Sequence, residues 1–201
     1  MLLTLAACGT TNAGNDAADE PKNAAAADAA DPTPTGETPE NTDGKVLVAY
    51  FSATGHTRTI AEYLQTALDA DLYEIVPQEP YTADDLDYNT DGCRANREQN
   101  DDAARPAISG SVEGMDGYDV VFIGYPIWWG QAPRIVYTFL ESYDFSGKII
   151  VPFCTSGGSG IDGSLSGLQA LTPDADWLTG QRFSSGTSAA DVQSWADSLG
   201  L

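Results

Sequence analysis

Histidine, cysteine and positive charge are all scarce in this chain of 201 residues. There is one histidine, His56, and three cysteines, and 9 basic side chains stand against 30 acidic ones, a formal charge of −21. A single histidine excludes metal centres built from several imidazoles. It also excludes a Ser/His/Asp triad anywhere but at His56 itself. So acidic a surface repels nucleic-acid phosphates and anionic lipid headgroups, so no nucleic-acid partner is expected. Large apolar residues are missing altogether from Gly9 to Gly44, where alanine is the only apolar type. Such a stretch cannot bury enough surface to offset the entropy of ordering it and is expected to be disordered. What remains, residues 45–201, has the length of one compact domain.

The extreme N-terminus carries Leu2, Leu3 and Leu5 ahead of Leu5-Ala6-Ala7-Cys8 and Gly9. The apolar run is too short to span a bilayer, and no basic residue precedes it. It resembles the lipobox of a bacterial lipoprotein precursor. That resemblance implies a signal segment over residues 1–8, acylation of Cys8 and an extracytoplasmic, lipid-anchored chain. Residues 9–44 would then be an acidic tether, spanning roughly 30–36 Å as a random coil. The membrane is expected to be a partner only through that anchor.

From Lys45 the pattern changes. Val46 to Phe51, Val120 to Ile123 and Ile149 to Phe153 are continuous apolar runs, readable as strands buried on both faces. Leu72 to Val76 and Trp177 to Phe183 are weaker and suit edge strands. Ile60, Tyr63, Leu64, Ala67 and Leu68 follow one face of a helix. Helices are also predicted after Pro133, over Ile161 to Leu168, and after Ser188, which forms a capping-box pattern with Asp191. Alternating strands and helices indicate an α/β fold. The expected architecture is a three-layer α/β/α sandwich around a five-stranded parallel sheet of order 2-1-3-4-5. Gln78 to Tyr118 is longer than an ordinary connection.

Three loops follow the carboxyl ends of the three strongest strands, where parallel sheets bind ligands. Ser52-Ala53-Thr54-Gly55-His56-Thr57 runs straight into a helix, so backbone amides, hydroxyls and the positive helix end converge on it. The arrangement suits a phosphate monoester. It lacks the Gly-Lys-Ser/Thr of a Walker loop and the GxGxxG of a dinucleotide site, and alone it also fits a plain capping turn. Pro126-Ile127-Trp128-Trp129-Gly130 brings two adjacent tryptophans out of a buried strand. A planar heteroaromatic ligand would cover them, although both can equally be core. Cys154-Thr155-Ser156-Gly157-Gly158-Ser159-Gly160 offers glycines that let backbone approach a ring edge, or simply turns the chain.

Together SATGHT, YPIWWG and CTSGGSG resemble the FMN site of the flavodoxin family, over residues 45–201, which implies the flavodoxin-like fold. The resemblance implies that Ser52, Ala53, Thr54, Gly55, His56 and Thr57 hold the FMN phosphate. Pro126, Ile127, Trp128, Trp129 and Gly130 would flank the isoalloxazine, with the choice of stacking tryptophan left open. Thr155, Ser156, Gly157, Gly158 and Ser159 would contact its pyrimidine side. The DLDYN…RANREQN…ARP segment is similar to that of flavodoxin-like lipoproteins of anaerobic bacteria. The third loop has no aromatic, which leaves one flavin face for a substrate or for cover by Tyr81 or Tyr88.

The function implied is electron transfer by an FMN-binding redox protein, to a redox partner protein or a small-molecule acceptor. An FMN-dependent reductase of quinones or other small acceptors is the alternative, and a flavin-free surface-binding lipoprotein a third reading. No side chain stands out as a catalytic acid, base or nucleophile, and no metal is expected. Cys154 reads as a buried strand-end residue and Cys93 as an exposed loop thiol, and a disulfide between them is chemically allowed outside the cytoplasm. The sequence does not specify an oligomeric state.

Overall fold

The structure is a computed structural model that describes residues 44–201. Cys8, the signal segment and the tether up to residue 43 lie outside the described residues. The sheet is built from β1 (Val46–Tyr50), β2 (Asp71–Glu74), β5 (Val120–Pro126), β6 (Ile149–Thr155), β7 (Asp176–Trp177) and β8 (Gln181–Phe183). Its order is β2-β1-β5-β6-β7, with β8 also on β6, and every pairing is parallel. This is the expected order, with two short strands sharing the fifth position.

That split has a cause in β6. Ile150 accepts from the Leu178 amide at 2.9 Å, so Pro152, two residues on, faces the same edge and has no N–H to give. Ile150 pairs with Trp177 and Phe153 with Gln181, so the edge strand carries one extra residue opposite the proline. The interruption is a bulge of the kind that accommodates proline within a sheet. The second edge also differs from expectation. β2 stops at Glu74, and Val76–Pro77 forms a separate strand, β3, antiparallel to β4 (Ile108–Ser109).

Side-chain alternation divides the core between two faces. Leu47 and Ala49 of β1, with Phe51 just beyond it, pack with Val121, Ile123 and Tyr125 under α3 (Arg134–Glu141) and α4 (Asp162–Gln169). Val48 and Tyr50 pack with Phe122, Val151 and Phe153 under α1 (His56–Leu68) and α5 (Ala189–Ser198). The result is the three-layer sandwich. The capping box forms as expected: Ser188 Oγ accepts from the Asp191 amide at 3.2 Å, and Asp191 Oδ2 accepts from the Ser188 amide at 3.3 Å.

The long connection between β2 and β5 contains the β3–β4 pair, a short α-helix, α2 (Arg94–Gln99), and a single 3-10 turn at Met115–Gly117. Cys93 is buried rather than exposed, because it caps α2 with its sulfur accepting from the Asn96 amide at 3.4 Å. Cys154 is buried in β6, and both thiols are free. Among the described residues no helix is long and apolar enough to cross a membrane.

Candidate functional site

The loops after β1, β5 and β6 emerge side by side, because these are adjacent central strands of the sheet. In the first, Ser52 Oγ accepts from the Gly55 amide at 3.1 Å. Gly55 then adopts φ 90°, a left-handed conformation that glycine takes without steric cost, and the chain turns into α1. The amides of His56, Thr57 and Arg58 open the helix and have no intrahelical acceptor. The Arg58 guanidinium is engaged with Glu74 at 2.5 Å. Thr54, Gly55 and His56 are exposed.

Thr57 is buried, and its hydroxyl lies 2.8 Å from the Thr155 hydroxyl, which ties the first loop to the third. Thr155 also accepts from the Ile127 amide at 3.0 Å, which ties the third loop to the second. One threonine is thus the junction of all three segments. Beyond it, Ser156 is half-buried, its amide donating to Phe183 at 3.2 Å and its carbonyl accepting from Arg182 at 3.0 Å. Gly157, Gly158 and Ser159 are exposed.

The second loop is a tight hairpin. Trp128 and Gln131 exchange two backbone hydrogen bonds of 2.9 Å each. The two residues between them, Trp129 and Gly130, have φ of 46° and 79°. Positive φ at both central positions is the type I′ pattern, uncommon for a bulky side chain. The Trp128 ring packs edge-on against Phe51 (5.5 Å between centroids) and Tyr81 (5.3 Å). The Trp129 side chain stands at the tip, and the residue is 47% exposed.

The first two loops border a cavity of about 450 Å³, within the usual range of small-molecule sites. Ala53 and Thr54 come from the first loop and Pro126 to Trp129 from the second. Leu86, Tyr88 and Ala95 come from the long connection. The wall is almost wholly apolar and aromatic, and the open N-terminus of α1 follows Thr54 directly. A planar ring system carrying a phosphate fits this combination. Among the expected site residues, Gly55, His56 and Thr57 lie at the α1 end of the cavity, Gly130 in its hairpin, and Ser156 to Ser159 beside it without lining it. Of the two tyrosines expected to cover the site, Tyr88 lines the cavity and Tyr81 stands behind Trp128. Leu86 and Ala95 were missed by the sequence reading, because a six-residue helix and a run of turns give no periodic signal.

Tyr125 OH pairs with Ser164 Oγ at 2.9 Å, and burial pushes its pKa well above the usual tyrosine value. Burial likewise pushes the Cys154 thiol up to about 12, so it stays neutral. Among the described residues no group of three or more His, Cys, Asp or Glu side chains is placed to hold a metal ion.

Comparison with known proteins agrees with this geometry. The family model described as Flavodoxin matches residues 45–199. A candidate flavoprotein from Bacteroides eggerthii has a solved structure similar to this chain at 47% identity and a TM-score of 0.74, covering 79% of this chain and 99% of that one. A second, from Bacteroides uniformis, is 44% identical with a TM-score of 0.74, covering 77% and 98%. A flavoprotein from Lactobacillus acidophilus, solved in complex with FMN, shares the fold at 24% identity and a TM-score of 0.57, covering 76% and 99%. No curated protein matches.

Proposed function

The chain belongs to the flavodoxin family, and from that premise we propose that it is an FMN-binding redox protein that transfers electrons outside the cytoplasm, anchored through an acylated Cys8. The observation that carries the cofactor is the aromatic cavity of about 450 Å³ lying directly beside the open N-terminus of α1. FMN supplies the redox chemistry when bound, and the protein's share is to bind, orient and tune it.

In this reading the amides of His56, Thr57 and Arg58 hold the phosphate, with the Ser52 and Thr54 hydroxyls beside them. Hydrogen bonds to a charged acceptor contribute about 1.5–3 kcal/mol each, so several neutral donors suffice without a lysine. Trp129 is the stacking residue, since its ring is exposed at the hairpin tip while the Trp128 ring is already packed on Phe51 and Tyr81. Ser156 to Ser159 offer hydroxyls and amides to the polar edge of the ring.

The acidic surface favours a basic redox partner and a salt-dependent encounter. A reductase of quinones or other small acceptors is the second reading. It is favoured by Leu86, Tyr88 and Ala95, which add a wall from the long connection to the aromatic cavity. Steady-state assays of the FMN-loaded protein separate the two. A carrier reduces a basic acceptor protein at a rate that falls with salt and does not turn over quinone with reduced nicotinamide. Sustained quinone turnover would assign the reductase instead.

A further inference from the structure

The hairpin that carries both tryptophans is held from behind by the long connection, in a way the cavity itself does not require. Gln99, the last residue of α2, donates through Nε2 to the carbonyls of Trp128 (3.1 Å) and Ala132 (3.3 Å), the two residues that bracket the turn. Its own Oε1 is buried without a partner, so the two carbonyls alone dictate how the amide is oriented. Trp129, inside that bracket, sits at φ 46°, a conformation disfavoured for a residue with a Cβ and kept only where the surroundings over-determine it.

Beside Gln99 a second contact fixes the Trp128 ring. Tyr81 OH donates to Glu98 Oε2 at 2.5 Å, Arg94 Nε donates to Glu98 Oε1 at 2.7 Å, and the Arg94 guanidinium lies 4.2 Å from the centre of the Tyr81 ring. The Arg94 and Glu98 side chains are 17% and 15% exposed. This pair holds Tyr81, and Tyr81 meets Trp128 edge-on. A helix as short as α2 has no stability of its own. It is anchored by Arg134, whose Nη2 donates to the Gln99 carbonyl at 3.1 Å and to Asp102 at 2.6 Å. The Ala95 amide in turn donates to Asp85 at 3.0 Å, next to the cavity-lining Leu86.

We propose that α2 is a clamp that sets the tryptophan wall of the site: Gln99 positions the backbone of the Trp128–Ala132 hairpin and Tyr81, locked by Glu98 and Arg94, positions the Trp128 ring. The inference rests on the FMN reading above, and these are positioning residues, since none of them lines the aromatic cavity. It makes the flavin environment depend on a segment absent from the β–α core. It also explains how a strained, half-exposed tryptophan is held in that conformation.

The test uses the full chain, titrated with FMN and followed by quenching of flavin fluorescence and by the visible spectrum of the bound flavin. Gln99→Met removes the donor at similar volume, and Tyr81→Leu removes both ring and hydroxyl. Each is expected to weaken FMN binding by about tenfold or more and to shift the bound-flavin bands, as a loosened supporting shell does. Tyr81→Phe keeps the ring against Trp128 but loses the bond that locks it to Glu98, so its affinity should fall between those of wild type and Tyr81→Leu. Ser188→Ala, which removes the α5 cap far from the site, serves as the stability control and should bind FMN like wild type. Wild-type affinity and spectrum in both Gln99→Met and Tyr81→Leu would overturn the clamp. So would a loss in Ser188→Ala that parallels theirs, because stability rather than position would then be the cause. If Gln99→Met fails to fold by circular dichroism, the Tyr81 pair decides. Failure of the wild-type protein to bind FMN would remove the FMN reading itself, and the clamp with it.

Discussion

The hydroxyl pair Thr57–Thr155 joins the first and third loops inside the protein, and its removal has a calculable outcome. Thr57 is 1% and Thr155 6% exposed, and their oxygens are 2.8 Å apart. Thr57→Val keeps shape and β-branching but leaves the Thr155 hydroxyl buried beside a methyl group. The expected loss is about 1–3 kcal/mol, the cost of a buried polar group deprived of its partner. Thr155→Val should cost a similar amount for the same reason. With both hydroxyls replaced nothing is left unpaired, and the double variant should return to near wild-type stability. The cycle therefore has a favourable coupling energy of about 2–6 kcal/mol, the sum of the two single losses, well above the scatter of roughly 0.3–0.5 kcal/mol found for independent sites. Urea denaturation at constant pH measures it, and thermal midpoints should move by about 2–4 °C per kcal/mol in a domain of this size. Strictly additive losses in the double variant would refute the reasoning, because they would mean that the hydroxyls are satisfied independently of one another.

Gly124→Ala should destabilise the protein by about 1–3 kcal/mol as an overpacked core, since the new Cβ would sit 2.1 Å from Cζ of the fully buried Phe153 ring. Combining it with Phe153→Leu should recover part of that loss in the same denaturation assay. Trp129→Ala should weaken FMN binding through lost stacking while leaving the unfolding midpoint nearly unchanged, whereas Trp128→Ala should lower both; fluorescence titration and thermal unfolding of the two variants check this. At alkaline pH the Cys154 thiol contributes a defined slope. Its folded value is raised by burial to about 12 from an ordinary 9.0, so its contribution to stability is full below pH 9.0 and is lost as pH rises through about 12. Denaturation midpoints of wild type should therefore fall more steeply over that range than those of Cys154→Ala. Finally, 30 acidic against 9 basic side chains disfavour added negative charge on a reduced flavin. The midpoint potential is expected below that of free FMN and should rise with salt, as a redox titration at two ionic strengths will read.

The core of the fold was legible because it is written in unbroken apolar runs. Val46 to Phe51, Val120 to Ile123 and Ile149 to Phe153 could be little else than central strands, and Ser188 with Asp191 marked the start of α5. The edges were less legible, and for local reasons. Val76 belongs by pattern to β2 but pairs with Ser109 instead. The missing donor of Pro152 falls on the edge side of β6, a matter of parity that only the pairing reveals. The candidate site divides in the same way. The first two loops announced themselves through Gly55 before a helix and through paired tryptophans, and they share one cavity. Cys93, Leu86, Ala95 and Gln99 lie in a stretch of turns around a six-residue helix. There burial is decided by tertiary contact, and no period of side chains records it.

The central claim is that the strand-end loops and the start of α1 form a site for FMN. The visible absorption spectrum of the purified protein, before and after addition of FMN and removal of the excess, tests it most directly. The account predicts a yellow protein with shifted, structured flavin bands that survive gel filtration and quenched flavin fluorescence. A colourless protein that leaves the fluorescence of added FMN unchanged would contradict it.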